Sequence, residues 1–216
     1  PTLVAGSTWT SDEDVLIPVL EVVREQVPDL RLILAPHEPD AGHVNVMCRR
    51  LATDGWSTAT LSGVEQSGSV HGVDAVVVDR VGVLPDLYTI GRIAYVGGGF
   101  HRSGLHSVLE PAAAGLPVLF GPRHQSVKAA ADLLAAGAAQ SVEGCDLLAE
   151  ALLTWLTDDG QRDHAAVRAF GYTPYQLLFG RDHPLPEDLQ GCPGPDVIIN
   201  SLILSGDENY KISHAI

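Results

Sequence analysis

Residues 97–122 read GGGFHRSGLHSVLEPAAAGLPVLFGP, and inside them GLHSVLEP sets an imidazole, a hydroxyl and a carboxylate beside a glycine run. Ser107 followed three residues later by Glu110 fits a capping box, in which the hydroxyl caps a helix over 108–114 and the carboxylate bonds back to the Ser107 N–H. Pro111 falls in or just past the first helical turn, where its missing N–H matters little. The free N–H groups of such a helix start favour an anion by roughly 0.3–1 kcal/mol. Glu110 therefore has two readings. It closes the capping box, or it accepts hydrogen bonds from a pair of vicinal hydroxyls such as those of a ribose. His106 precedes the cap and is expected to be exposed, with His101 and His124 in loops of the same rim.

Other chemistries fail on spacing. A dinucleotide fingerprint needs a third glycine where Arg102 stands after Gly97 and Gly99. Gly99 and Gly104 have the spacing of a phosphate-binding P-loop, but Leu105 and His106 replace the Lys and Ser/Thr that must follow. Neither H-E-x-x-H nor H-x-x-E-H occurs, so no metal is expected, and G-x-S-x-G is absent, so no nucleophile elbow is expected. The chain calls for no cofactor.

Apolar β-rich runs alternate with helical patterns, which predicts an α/β fold with a parallel sheet flanked by helices. The strands expected are 2–6, 31–36, 57–61, 74–79, 92–97, 117–120 and 138–142, mostly continuous apolar runs as in a sheet covered on both faces. Helices are expected near 11–27, 39–54, 84–90, 108–114, 124–136 and 146–158. Ser11 and Asp14 suggest a capping box for the first, Pro18 a kink within it, and Gly115 and Gly137 are expected to stop two others. In such sheets ligands bind outside the carboxyl ends of the strands. The loops there hold Gly6, Ser7 and Thr8, then His37 and Glu38, then Arg80 and Gly82, then Gly98 to Arg102, then Gly121 to His124. Glycines, hydroxyls, imidazoles and guanidinium groups converge on one rim, which suits an anionic small molecule. Ser7 and Thr8 fit a phosphate contact or an ordinary turn equally well.

The chain has 216 residues, a net charge of −14 and 45% apolar residues, with a mean hydropathy of +0.13. That acidity excludes a nucleic-acid surface, which needs clustered Lys and Arg. Cys48, Cys145 and Cys192 are scattered and lack metal spacing, as suits a reducing compartment. No apolar stretch is long enough to span a bilayer, no signal peptide is present, and the opening strand is expected of a fragment of something longer. The expected organisation is a Rossmann-like domain over 1–160 and an irregular tail over 161–216, foreign or disordered. Within the tail, GYTPYQLLFGRDHPLP (171–186) resembles a segment of retroelement integrase polyproteins. A chimeric reading frame and a divergent extension both account for it.

Taken together, AGSTWTSDEDVL, LILAPHEPD, VVVDRVGVLPDLYTIGRIAYVGGGF and GLHSVLEPAAAGLPVLFGPRHQ resemble the C-terminal half of bacterial 3-deoxy-D-manno-octulosonic acid (Kdo) transferases, in order and spacing from about residue 2 to 158. The resemblance implies one half of a GT-B fold, two Rossmann-like domains facing across a cleft. It implies CMP-Kdo as the donor held here, and a lipid A precursor as acceptor in lipopolysaccharide biosynthesis, held with the catalytic base by a domain absent from this chain. It also implies that the full-length protein works at the cytoplasmic face of the inner membrane, the present fragment being soluble and inactive alone. Glu110 would contact the donor ribose, Gly6, Ser7, Gly82, His106 and Ser107 would line the donor cleft, and the backbone of Gly98 and Gly99 would give the nucleotide room. The chain departs from the family's pattern in Pro36-His37-Glu38-Pro39, where an expected arginine becomes His37, and in Asp79-Arg80-Val81-Gly82, where a guanidinium appears that could take over its charge. A different donor, such as a UDP-sugar, and a non-catalytic nucleotide-binding module remain the alternatives.

Overall fold

A computed structural model of the chain describes residues 1–170; the integrase-like segment and the rest of the tail from 171 on lie outside the described residues. Residues 161–170, expected in the irregular tail, are instead helical and carry Ala165 and Ala169 into the core. Seven parallel strands form one sheet: β1 (Thr2–Thr8), β2 (Arg31–Pro36), β3 (Thr58–Thr60), β4 (Ala75–Val77), β5 (Ile93–Val96), β6 (Val118–Phe120) and β7 (Ala139–Ser141). Their spatial order is β3-β4-β2-β1-β5-β6-β7. All the expected strands form: the central ones are short β-branched or aliphatic runs with both faces covered, and the edge strands β3 and β7 are only partly buried. The helices between them are α1 (Thr10–Gln26), α2 (Ala41–Thr53), α3 (Leu61–Ser67), α4 (Leu84–Tyr88), α5 (Leu109–Ala113), α6 (Lys128–Ala136), α7 (Cys145–Thr157) and α8 (Asp159–Phe170).

Strand periodicity divides the core. Leu3, Ala5, Leu32, Leu34, Tyr95 and Leu119 face α1, α2 and α7, meeting Leu16, Leu20, Met47, Leu152 and Trp155. Val4, Ile33, Val76 and Ala94 face the other way, against Leu61 and Val64 of α3 and Leu87 and Tyr88 of α4. Val96, Val118 and Phe120 continue that second face beneath Ala112 of α5 and Leu133 of α6. Gly137 adopts a left-handed φ of +70° and closes α6, and Gly115 at +74° follows α5, as expected of both.

Two helices, α3 and α8, were not anticipated. Thr60 caps α3 by accepting from Gly63 N–H at 3.1 Å, but Gly63 lies inside the helix and weakens its pattern. The buried apolar contacts of α8 include Ala165, in the first core cluster, and Ala169, in the third, too small to show an apolar stripe. One capping expectation also fails. Helix α1 starts at Thr10, and its N-terminal hydrogen bond runs from Trp9 N–H to Asp12 Oδ2 at 3.0 Å, not between Ser11 and Asp14. Pro18 sits inside α1 on its exposed side.

Candidate donor site at the sheet's switch point

Strand β1 is the centre of the sheet, with β2 on one side and β5 on the other. The chain winds outward from β1 through β2 to the β3 edge, steps back to β4, then crosses to β5 and winds the other way. The loops after β1 and β5 therefore diverge, and the crevice between them is the topological switch point where such sheets bind ligands.

Two buried carboxylates at the start of α1 hold this crevice open in one shape. Asp12 is wholly buried and accepts from Gly98 N–H at 2.8 Å, Trp9 N–H at 3.0 Å, Phe100 N–H at 3.1 Å and the Tyr95 hydroxyl at 3.2 Å. Burial, reinforced by that carboxylate, pushes the Tyr95 phenol far above its usual pKa and keeps it a donor. Glu13, also wholly buried, accepts from the Thr8 hydroxyl at 2.9 Å and from His43 Nε2, which lies 3.0 and 2.8 Å from its two oxygens. Neither acid was singled out from the sequence, although two adjacent acids just after a buried strand were the available signal.

The glycine run works differently from the expectation. Gly97, Gly98 and Gly99 are buried, and protein already fills the space beside each. A Cβ on Gly97 would meet Ser7 O at 2.2 Å, on Gly98 Gly104 O at 2.2 Å, and on Gly99 Gly121 N at 2.3 Å. The glycines let three loops close on one another rather than leaving room for a nucleotide. Gly6 is likewise covered, its Cβ direction blocked by the Tyr88 hydroxyl at 2.1 Å. Gly82 has open space around it and needs to be glycine for its φ of +86°. Ser7 takes a φ of +53°, unusual for a residue with a side chain, where the β1–β2 register is interrupted between Gly6 and Thr8.

His37 and His106 come together, their rings stacked at 4.3 Å between centroids. Trp9 completes the group: its ring stacks on His101 at 4.1 Å, lies 4.5 Å from His37, and donates through Nε1 to His106 Nε2 at 2.9 Å. Burial first, then the neighbouring His37 and His101 imidazoles, lower the His106 pKa below its ordinary value, and Asp12 opposes them.

The expected capping box of α5 does not form. The helix is five residues long with Val108 at its cap position, and the Ser107 hydroxyl accepts only from Leu109 N–H at 3.3 Å. Five residues sum little dipole, so the helix-start argument for an anion lapses. Glu110 is exposed, and its carboxylate makes no hydrogen bond or ion pair among the described residues. It lines an open groove of about 330 Å³ with Leu109 and Ala113 of α5, Ala114 at its end, Pro85 of α4 and Thr89 at the end of α4. Its charge reaches inward as well: burial first, then Glu110, raises the pKa of Tyr88. Arg80, expected as a free cation, is bound through both terminal nitrogens to Glu65 of α3. That pair holds Glu65 below the usual carboxylate range, chiefly through the hydrogen bond from Arg80. Arg102 and Arg123 are the exposed rim cations without an ion pair among the described residues. No group of three or more His, Cys, Asp or Glu side chains able to hold a metal occurs among the described residues.

The fold has solved counterparts. The C-terminal CMP-Kdo binding domain of WaaA from Acinetobacter baumannii superposes with a TM-score of 0.69 at 18% identity, over 82% of this chain and 89% of that one. WaaG, a glycosyltransferase involved in lipopolysaccharide biosynthesis, matches with a TM-score of 0.56 at 17% identity, over 83% of this chain and 44% of that one. The chain shares the fold of the WaaA domain, one Rossmann-like half of a GT-B fold. No family model matches the chain. Among curated proteins, the 3-deoxy-D-manno-octulosonic acid transferase of Aquifex aeolicus is 32% identical over 120 residues, 56% of this chain and 31% of that protein. That of Chlamydophila psittaci is 31% identical over 171 residues, 77% of this chain and 36% of that protein. Over these residues the chain is homologous to the bacterial Kdo transferases, as its motifs implied. It spans about a third of the length of these relatives.

Proposed function

We propose that residues 1–160 form the donor-binding half of a Kdo transferase and hold CMP-Kdo at the crevice between the ends of β1 and β5. The observation that carries this reading is Glu110: an exposed carboxylate without an intramolecular partner among the described residues, on an open groove between α4 and α5. A carboxylate offers two acceptor oxygens, which suits the paired hydroxyls of a ribose. His37, His106, Ser107 and the Gly82 turn complete the proposed contacts, with Arg102 and Arg123 as the cations facing the phosphate. Gly6, Gly98 and Gly99 serve by shaping the loops, and Arg80 is committed to Glu65.

In the transfer itself an acceptor hydroxyl attacks the anomeric carbon, the bond from that carbon to the phosphate oxygen breaks, and CMP leaves with the electron pair. A base must take the hydroxyl proton, and hydrogen-bond donors must support the departing phosphate. The rim supplies the second requirement. On this reading the base and the lipid A precursor belong to a facing domain, and the reaction takes place where a soluble nucleotide-sugar meets a lipid acceptor, at the cytoplasmic face of the inner membrane. Among the described residues no helix is long and apolar enough to cross a membrane.

Calorimetric titration with CMP, UMP, UDP and GMP tests the reading. CMP is expected to bind most tightly, and Glu110→Gln to weaken it about tenfold, the scale of one or two hydrogen bonds to a charged group. Preferential binding of UDP would move the domain to a different donor, and binding of no nucleotide would leave a non-catalytic module.

A further inference from the structure

Trp9 formed no part of the site read from the sequence, yet its indole meets three imidazoles at the rim. One of those contacts fixes a proton. His106 Nε2 lies 2.9 Å from Trp9 Nε1. An indole nitrogen can only donate, so Nε2 must be the bare nitrogen and Nδ1 must carry the hydrogen of the neutral ring. Imidazole side chains in water prefer the opposite tautomer, so the indole selects the less common one. Nδ1 has no hydrogen-bond partner among the described residues, and the ring is only partly buried. The residue is held on two sides: the His106 backbone N–H donates to Gly97 O at 3.0 Å, and His37 stacks on its ring. A second proton would have to sit on Nε2, against the indole N–H. Burial and the neighbours His37 and His101 disfavour that charge, with Asp12 alone on the opposing side.

We propose that Trp9 is a positioning residue that fixes His106 as its Nδ1–H tautomer, giving the rim an uncharged hydrogen-bond donor for an anionic oxygen of the bound nucleotide. The ligand rests on the donor reading above; the tautomer does not. The arrangement differs from a lysine or arginine contact. A neutral donor supports the phosphate directionally without drawing Asp12 out of its network.

The test uses the chain as it stands, with nitrogen-15 spectra of the imidazole rings and CMP titration side by side. In the wild type the His106 signals are expected to show a protonated Nδ1. Trp9→Phe keeps an aromatic ring for stacking and removes the N–H. Its Nδ1–H population should fall, and CMP affinity should drop about fivefold, the scale of one hydrogen bond, with amide spectra showing the fold intact. An unchanged tautomer or an unchanged affinity in this variant overturns the proposal. His106→Asn and His106→Gln supply a second arm, because an Asn amide nitrogen overlays Nδ1 and a Gln amide nitrogen overlays Nε2. The Asn variant should lose less CMP affinity than the Gln variant, and equal losses or the reverse order count against the proposal. Should the wild type bind no CMP, the donor reading falls, and the ring-nitrogen spectra alone decide whether Trp9 sets the tautomer.

Discussion

Asp12 is the residue on which the rim turns. Its carboxylate gathers donors from the start of α1, from β5 and from the glycine loop, all out of water. Replacing it with alanine leaves those donors unpaired in the interior, so Asp12→Ala is expected to cost about 3 kcal/mol or more in urea denaturation. Asp12→Asn should cost less, because an amide oxygen still accepts, and a loss below about 1 kcal/mol for alanine would mean that water replaces the carboxylate. This role was hidden in the sequence. The i, i+3 pair that starts α1 is Trp9 and Asp12, and an indole has no acceptor, so the usual hydroxyl signature is missing and the eye moves to Ser11 and Asp14. Glu110 was legible for the opposite reason: its neighbours follow a pattern with few alternatives, although the capping half of that pattern never forms. Arg80 was legible as a cation but not as one already claimed, since Glu65 reaches it from another element.

Among the elements, the strands could be read and the loop packing could not. A run such as RLILAP has one comfortable fate, a strand covered on both faces, whatever lies around it. The GGGF run offered two fates, an open cradle or a close crossing of backbones, and only the third dimension chooses. Gly99 faces Gly121 at the end of β6, with the Cβ direction of each blocked by the other's backbone. Gly99→Ala must therefore push two loops apart. We expect a loss of about 2 kcal/mol or more, seen as a lowered midpoint of chemical denaturation. Gly82→Ala meets no atom, only an unfavourable φ, and should cost about 1–2 kcal/mol. Equal costs at the two positions would argue that Gly99 is not a packing residue. The helix α8 shows the other limit of the sequence: an alanine face carries too little hydrophobicity to announce a buried side.

Across the whole molecule, folding stability reports the state of the rim through pH. The His106 value in the folded chain lies below the ordinary imidazole value of about 6.5, so the unfolded chain binds more protons in between. Its contribution is complete above about pH 6.5 and is lost as pH falls through the lower, folded value. The groups facing the ring are His37 from the loop after β2, His101 from its own loop and Asp12 from α1. Urea midpoints taken between pH 7.5 and 5 should fall more steeply for the wild type than for His106→Asn, and parallel curves would remove His106 as the cause. The order of the strands carries a last consequence, for the way the chain assembles. β1 can find β2 early, since a single helix joins them, but its other neighbour is β5, with Leu3 paired to Ile93. That second pairing closes a long loop and costs chain entropy before any contact compensates it. The β1–α1–β2 unit should thus form first and wait. The crevice between β1 and β5, where the proposed donor would sit, is then among the last features to appear during refolding. A nucleotide that binds there would accelerate no early step, and would act by slowing the departure of β5 from the finished sheet.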